Sequence, residues 1–201
     1  MTKVRNLPLW IVLGVLLLLV LWLVGAYNGF VRLNEGVATA WSQVENQYQR
    51  RFDLVPNLVE TVKGIAQQEQ SVFLGVTQAR AQVGQLTVTP ELLSNPQAFA
   101  RFEAAQDSLS SALSRLLAVA ENYPQIKSNE NFLALQSQLE GTENRIATER
   151  MRFNEAVQLY NIRAKAIPGR WLVGVFGFDS AKALFKAVEG AAVPVRVNFG
   201  N

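Results

Sequence analysis

The side chains with the most chemical potential in this sequence are carboxylates and arginines set at helical spacing, and no histidine or cysteine accompanies them. Without imidazole or thiol there is no base titrating near neutrality, no thiolate nucleophile, and no His/Cys site for zinc, copper or haem. The densest polar cluster is Glu143, Asn144, Arg145, Glu149, Arg150, Arg152, Asn154 and Asn161. Glu149 falls in the apolar register of its stretch, and Glu69 falls in the corresponding register of an earlier one, so the spacing predicts that the two face each other. A carboxylate buried alone is strongly destabilising, so each needs a partner such as Arg80, Arg145 or Arg150, or must be neutral. Ion pairing that fixes helix register is the reading adopted here, over a carboxylate metal site or a contact with a partner. A di-metal bundle site needs a Glu-x-x-His motif, which this chain cannot complete. The network is therefore read as structural, with no catalytic, cofactor-binding or metal-ligating residue assigned.

Smaller constellations have the same character. Tyr27-Asn28, Phe153-Asn154 and Tyr160-Asn161 pair a ring with an amide, and the last two are seven residues apart on one helical face. They read as core aromatics whose neighbouring amides bond across helices, in preference to a ligand site. Arg50 and Arg51 with Asp53 and Pro56 mark a helix junction, where capping and surface pairing are favoured over the grip of a phosphate or acidic partner. Gly174-x-x-Gly177 lacks the preceding strand and following lysine of a phosphate loop. A serine nucleophile has no base to activate it.

The elements that must position these groups are helical. Phe30, Leu33, Val37, Trp41, Val44, Tyr48 and Phe52 recur in steps of three and four, which places them on one face. A second stretch runs Val55, Leu58, Val62, Ile65, Glu69, Val72, Val76, Ala79 and Val83. Asp53 is positioned to cap it and Pro56 to fill its first turn; the alternative is one continuous helix kinked at Pro56. A loop from Leu86 to Pro96 precedes a third helix, with Asn95 as its cap and Pro96 at its first position; it carries Phe99, Phe102, Leu109, Leu113, Leu116, Ala120 and Tyr123, and Pro124 ends it. A fourth begins near Ser128 and carries Phe132, Leu135, Leu139, Thr142, Ile146, Glu149, Phe153, Ala156 and Tyr160, stopping before Pro168. The expectation is an all-α, antiparallel long-helix (four-helix) bundle with a short irregular C-terminal tail.

At the other end, Leu7 to Val24 contains no charged or polar side chain, and at ~1.5 Å per residue it spans roughly 27 Å, close to a bilayer's hydrocarbon core. Trp10 and Trp22 sit toward its two ends, where indole rings favour the interface. A cleaved signal peptide is the rival reading, but the apolar run exceeds the usual h-region. No turn signal separates the span from the first heptad stretch, so the helix is expected to continue out of the bilayer. The division that follows is 1–6 as a short basic tail, 7–26 as the anchor, 27–167 as the bundle and 168–201 as an apolar tail. Lys3 and Arg5 precede the span while only Arg32 follows closely, so the positive-inside rule sets the N-terminus in the cytoplasm and the bundle outside. A chain of alternating helices returns to the membrane, which assigns Trp171, Phe176, Phe178 and Phe185 to the membrane interface; capping of the bundle end is the rival. Val193 to Phe199 has the pattern of a short strand.

Three words in the sequence, RRFDLVPNLVETVKG, YPQIKSNENF and TENRIATERMRFNEAVQLYN, closely resemble the LemA family of bacterial membrane proteins, and the similarity runs through nearly the whole chain in the family's order. The resemblance implies a single N-terminal anchor in the bacterial inner membrane, an all-helical bundle and no established enzymatic activity. Where the family usually has a histidine before the glutamate of its second helix, Gln68 precedes Glu69, so a histidine-dependent activity does not carry over. Relatives include a protein needed to form magnetosome membranes, which implies a role in organising membranes or proteins. The net charge of +3 is small and spread thinly, giving no argument for nucleic acid. The expected function is a non-enzymatic membrane-anchored scaffold that self-associates or organises envelope proteins. Expected partners are membrane lipid, further copies of the chain and another membrane protein. The alternatives are a lipid-binding module working through the tail and, more distantly, a carboxylate-dependent enzyme.

Overall fold

A single helix, α1, runs from Leu7 to Lys63 in the computed structural model, which describes residues 7–66, 68–86 and 90–186. The described elements are all helical. Residues 8–22 of α1 are exposed throughout, and this is the one helix among the described residues long and apolar enough to cross a membrane. From Ala26 onward one face is buried, through Phe30, Val37, Trp41, Val44 and Tyr48 to Val55, Leu58 and Val62.

The expected junction at Asp53 is not a junction. The helix passes through Asp53 and Pro56 without a break, and Asp53 accepts a hydrogen bond from the Gln49 side chain at 2.8 Å instead of capping a helix. Proline inside a helix leaves one carbonyl, here that of Phe52, without its usual donor. Arg80 takes up that carbonyl through Nε at 3.4 Å, and its guanidinium lies 3.9 Å from the centre of the Phe52 ring. The chain reverses later, between the end of α1 at Lys63 and the start of α2 (Gln70–Gly84), so the second heptad stretch divides between the two helices.

A 3₁₀ turn over Pro90–Ser94 tucks Leu92 and Leu93 inward. In α3 (Pro96–Ala120) the cap is as expected: Asn95 Oδ1 accepts from the backbone N–H groups of Gln97 and Ala98, both at 3.1 Å. Pro124 ends α3 but starts a single turn, α4 (Pro124–Lys127), which buries Ile126 completely. Asn129, one residue later than expected, caps α5 (Glu130–Lys165). The tail is less irregular than its composition predicts, because Gly169–Phe176 forms a further helix, α6, closed by Gly177 at φ +72°; this left-handed C-terminal residue is one that glycine adopts freely. The proposed strand at Val193–Phe199 lies outside the described residues.

Packing follows the stripes. Phe30 meets Tyr160, Trp41 meets Phe153 and Arg51 meets Glu143, so each step up α1 is matched by a step back along α5. α2 packs mainly on α3. Two cores result. The one nearer the apolar span joins α1 and α5 to the first turns of α3, to Leu92 and Leu93, and to Leu172, Val173 and Phe185 of the tail. The distal one joins the end of α1, α2, the rest of α3, α4 and the start of α5.

Candidate functional site

Where the two cores meet, the apolar stripes are interrupted on three helices at once. Arg51 stands between Tyr48 and Val55 on α1, Gln106 between Phe102 and Leu109 on α3, and Thr142 between Leu139 and Ile146 on α5, and all three are buried. Arg51 is the largest fully buried side chain described, at 1% exposure. Its Nη1 donates to Ser110 Oγ at 2.6 Å and to Glu143 at 3.0 Å, while Nη2 donates to the side-chain and backbone oxygens of Gln106. The guanidinium also lies 5.1 Å from the centre of the Tyr48 ring.

A cation withdrawn from water this far is tolerated only with a counter-charge and nearly full hydrogen bonding. The planar fork of arginine supplies the geometry for several acceptors at once. The result ties α1 to α3 and α5 and sets their axial register. Burial pushes the neighbouring Tyr48 hydroxyl up to about 12, against the opposing pull of Arg150 and Arg51. The guanidinium of Arg51 is not a base at physiological pH.

Toward the apolar span a second polar arrangement grips the tail. Asn154 donates to the Phe185 carbonyl at 3.0 Å and accepts from its N–H at 2.9 Å. Asn161, two turns later, does the same to Lys182 at 2.9 and 2.8 Å. Each amide thus satisfies both backbone groups of one residue in a segment that has no strand partner among the described residues. The Tyr160 hydroxyl donates to the Asp179 carbonyl at 2.7 Å, and burial pushes that hydroxyl up to about 12. Burial would raise the Asp179 carboxyl, but hydrogen bonds from Lys182 and Ser94 and the Lys182 charge outweigh it and hold the group below its ordinary value. Phe185 plugs the aromatic core against Trp41, Phe99 and Phe153, with the Arg150 guanidinium 4.3 Å from its ring centre.

Several expected positions need correction. Glu69 and Glu149 do not face each other. Glu69 precedes α2, half-buried, and accepts from the Tyr123 hydroxyl at 3.2 Å. Glu149 pairs with Arg152 at 2.8 Å on its own helix. From the register Arg51–Glu143, Glu149 is level with α1 about 18 residues before that helix ends, a separation from Glu69 of roughly 25 Å along the axis. Arg150 instead pairs with Glu103 at 2.7 Å, while Asn144, Arg145 and Arg50 are exposed. Arg51 is a buried tie and not a surface pair. Phe185 is a core residue and not an interfacial one; Phe176 and Phe178 are half-buried against α1, and of the four aromatics assigned to the interface only Trp171 is exposed. The sequence reading missed Gln106 and Ser110 entirely, although Gln106 occupies an apolar register position, the same signal that drew attention to Glu149.

Comparison with known proteins finds one family and several relatives. The family model described as LemA family matches residues 40–199. The magnetosome proteins MamQ 1 and MamQ 2 of Paramagnetospirillum magneticum are each 30% identical over 172 residues, covering 78% of this chain and 63% of theirs. The magnetosome protein MamQ of Magnetospirillum gryphiswaldense is 28% identical over 180 residues, covering 82% of this chain and 66% of its own. The chain therefore spans less than two thirds of the length of these curated relatives.

Proposed function

The chain belongs to the LemA family, and from that membership we propose that it is a non-enzymatic, membrane-anchored helical scaffold that associates with further copies of itself and organises proteins or lipid at a bacterial inner membrane. The observation that carries this reading is on the outer face of α5. Met151, Leu159 and Ile162 are 57%, 60% and 58% exposed and lie within about 80° of one another at 100° per residue. Exposed Glu155 lies between Met151 and the other two, so the apolar contact centres on Leu159 and Ile162, on a rigid helix beside the membrane stalk, where it is suited to lateral contact.

The side chains with chemical potential support the same reading, because they are engaged in holding the fold: Arg51 with Glu143, Arg150 with Glu103, and Asn154 and Asn161 with the tail. The relatives are named magnetosome proteins, and a place for this protein in a comparable membrane assembly is part of the proposal. In it, residues 1–6 form a cytoplasmic tail, 7–26 the anchor, 27–167 an antiparallel four-helix bundle outside the cytoplasm, and 168–201 a membrane-proximal segment. Neither cofactor nor nucleic acid enters.

The test uses the absence of native cysteine. In native membranes, single cysteines at Leu159→Cys and Ile162→Cys are expected to give disulfide-linked dimers on mild oxidation, while Ser108→Cys on the exposed side of α3 does not. If no position on the α5 strip crosslinks, lateral self-association through that face is wrong. Protease protection of the bundle in intact cells, lost in spheroplasts, checks the topology.

A further inference from the structure

Just beyond the apolar span of α1, helix α6 turns one face inward and another out. Inward, Leu172 and Val173 are buried. Gly169 packs so closely that an added Cβ would lie 2.0 Å from the Arg163 carbonyl and 3.3 Å from the Phe30 ring. Phe176 meets Tyr27 edge-on at 5.2 Å, and Phe178 stacks on Phe30 at 5.5 Å. These contacts fix α6 at the level of Tyr27 and Phe30, within two helical turns of Val24, where the uninterrupted apolar run ends. Outward, Trp171 and Val175 of α6 lie one turn apart and are 66% and 77% exposed, and Ile167, in the turn just before the helix, is 72% exposed. Lys165 and Arg170 flank them and are exposed as well.

We propose that this outward face of α6 is a bilayer-contact surface. Ile167, Trp171 and Val175 enter the headgroup boundary of the leaflet from which α1 emerges, and Lys165 and Arg170 meet the phosphates of anionic phospholipid. The occupant follows from position. A helix held within two turns of a membrane span has the lipid surface as its nearest neighbour, and the bilayer contact already made by α1 continues onto it. The chemistry agrees: an indole between two aliphatic side chains, bordered by long basic ones, is the composition of a helix lying in the interface plane. The tail clasp gives the contact a mechanical consequence. Because residues 179–185 are tied to α5 and the aromatic core, seating α6 in lipid fixes the angle at which α1 and α5 stand on the membrane. One span would leave that angle free; a second contact removes the freedom.

The inference rests on α1 being the anchor, and the experiment separates the two. Full-length protein carrying a nitroxide at Val175→Cys is reconstituted in vesicles of phosphatidylcholine and phosphatidylglycerol, with Leu17→Cys and Ser137→Cys as references inside the span and at the distal, exposed end of α5. Collision with oxygen relative to a water-soluble nickel complex reads depth. The expected ratio at Val175 is several-fold above that at Ser137 and below that at Leu17, and Trp171→Glu returns it toward the Ser137 value. Vesicles of phosphatidylcholine alone should lower the Val175 ratio, and no change there would remove the role given to Lys165 and Arg170. A Val175 ratio equal to that of Ser137, with Leu17 still in the acyl region, overturns the lipid contact and leaves the anchor standing. Shielding of Val175 from both reagents would mean that protein covers α6, which also overturns it. If Leu17 itself reports water, the anchored reading fails first.

Discussion

Around Trp41 the interior is built of rings, with Phe153 at 5.3 Å and Phe102 at 5.5 Å and the Phe99 and Phe185 rings 4.9 Å apart; around Leu58 it is mostly aliphatic, with Val55, Val62, Val76, Leu109, Leu113 and Leu116. The contrast follows from how many helices reach each level. At the distal end α1, α2, α3 and α5 all contribute, and branched and linear side chains fill the space between them. Nearer the span α2 is absent and α3 is only beginning, so the void beside α1 and α5 is wider. Large rings and a returning tail close it, and two asparagines satisfy the backbone of that tail. The Arg51 knot stands at the boundary and obliges both halves to keep one register. A helical stalk can therefore end in a sheath of non-helical chain without losing its core, provided side chains substitute for the missing strand partners.

Four perturbations would break or sharpen this comparison. Trp41→Ala has the largest expected effect, about 3–5 kcal/mol by analogy with other buried aromatic truncations. Thermal unfolding in mild detergent should show the loss, and hydrogen exchange should place it first in the tail and the start of α3, with α2 protected longer. Next is Arg51→Ala, expected to cost about 3 kcal/mol because it empties a buried site and strands Gln106 and Ser110. Arg51→Met should cost distinctly less in denaturant titrations, since an apolar chain of similar length fills the space and the Glu143 carboxylate, 39% exposed, can turn to water. Equal costs would mean that the ion pair itself, and not the packing, carries the stability.

Asn154→Ala removes both bonds to Phe185 and should cost about 1–2 kcal/mol, read as faster amide exchange at Phe185 with the distal core unchanged. The smallest effect is that of acid on the clasp. The folded carboxyl of Asp179 lies below its ordinary value, so its contribution is complete above about pH 4, near the unfolded carboxyl value, and is lost as pH falls through the depressed folded value. Amide exchange at Lys182 and Ala183, corrected for intrinsic rates, should accelerate in that acid range and not between pH 5 and 7.

Much of this was legible in the residues. The stripe from Phe99 to Ala120 on α3 and most positions of those from Phe30 to Tyr48 on α1 and Phe132 to Tyr160 on α5 are buried as periodicity predicts, with Leu33, Leu135, Glu149 and Ala156 half-buried, and the Asn95 cap with Pro96 fixes the start of α3. What failed, failed where local signals compete with distant contacts. Asp53 and Pro56 form a plausible helix start, yet the helix continues because Arg80, 28 residues away, takes the carbonyl that proline leaves free. Arg51 beside Arg50 looks like a surface pair until its place in the stripe between Tyr48 and Val55 is counted. The tail aromatics look alike by composition, but Phe185 is drawn inward by amides 24 and 31 residues earlier whose partner is backbone, and backbone leaves no mark in a sequence.

The most direct measurement is the mass of the full-length protein released from native membranes into mild detergent or lipid nanodiscs. A scaffold that associates through the α5 strip should appear as a dimer or larger species, with Leu159→Asp together with Ile162→Asp reducing it to single chains that keep their helical content. A wild-type protein that is monomeric at every concentration, and that catalyses a reaction with no partner bound, would contradict the account.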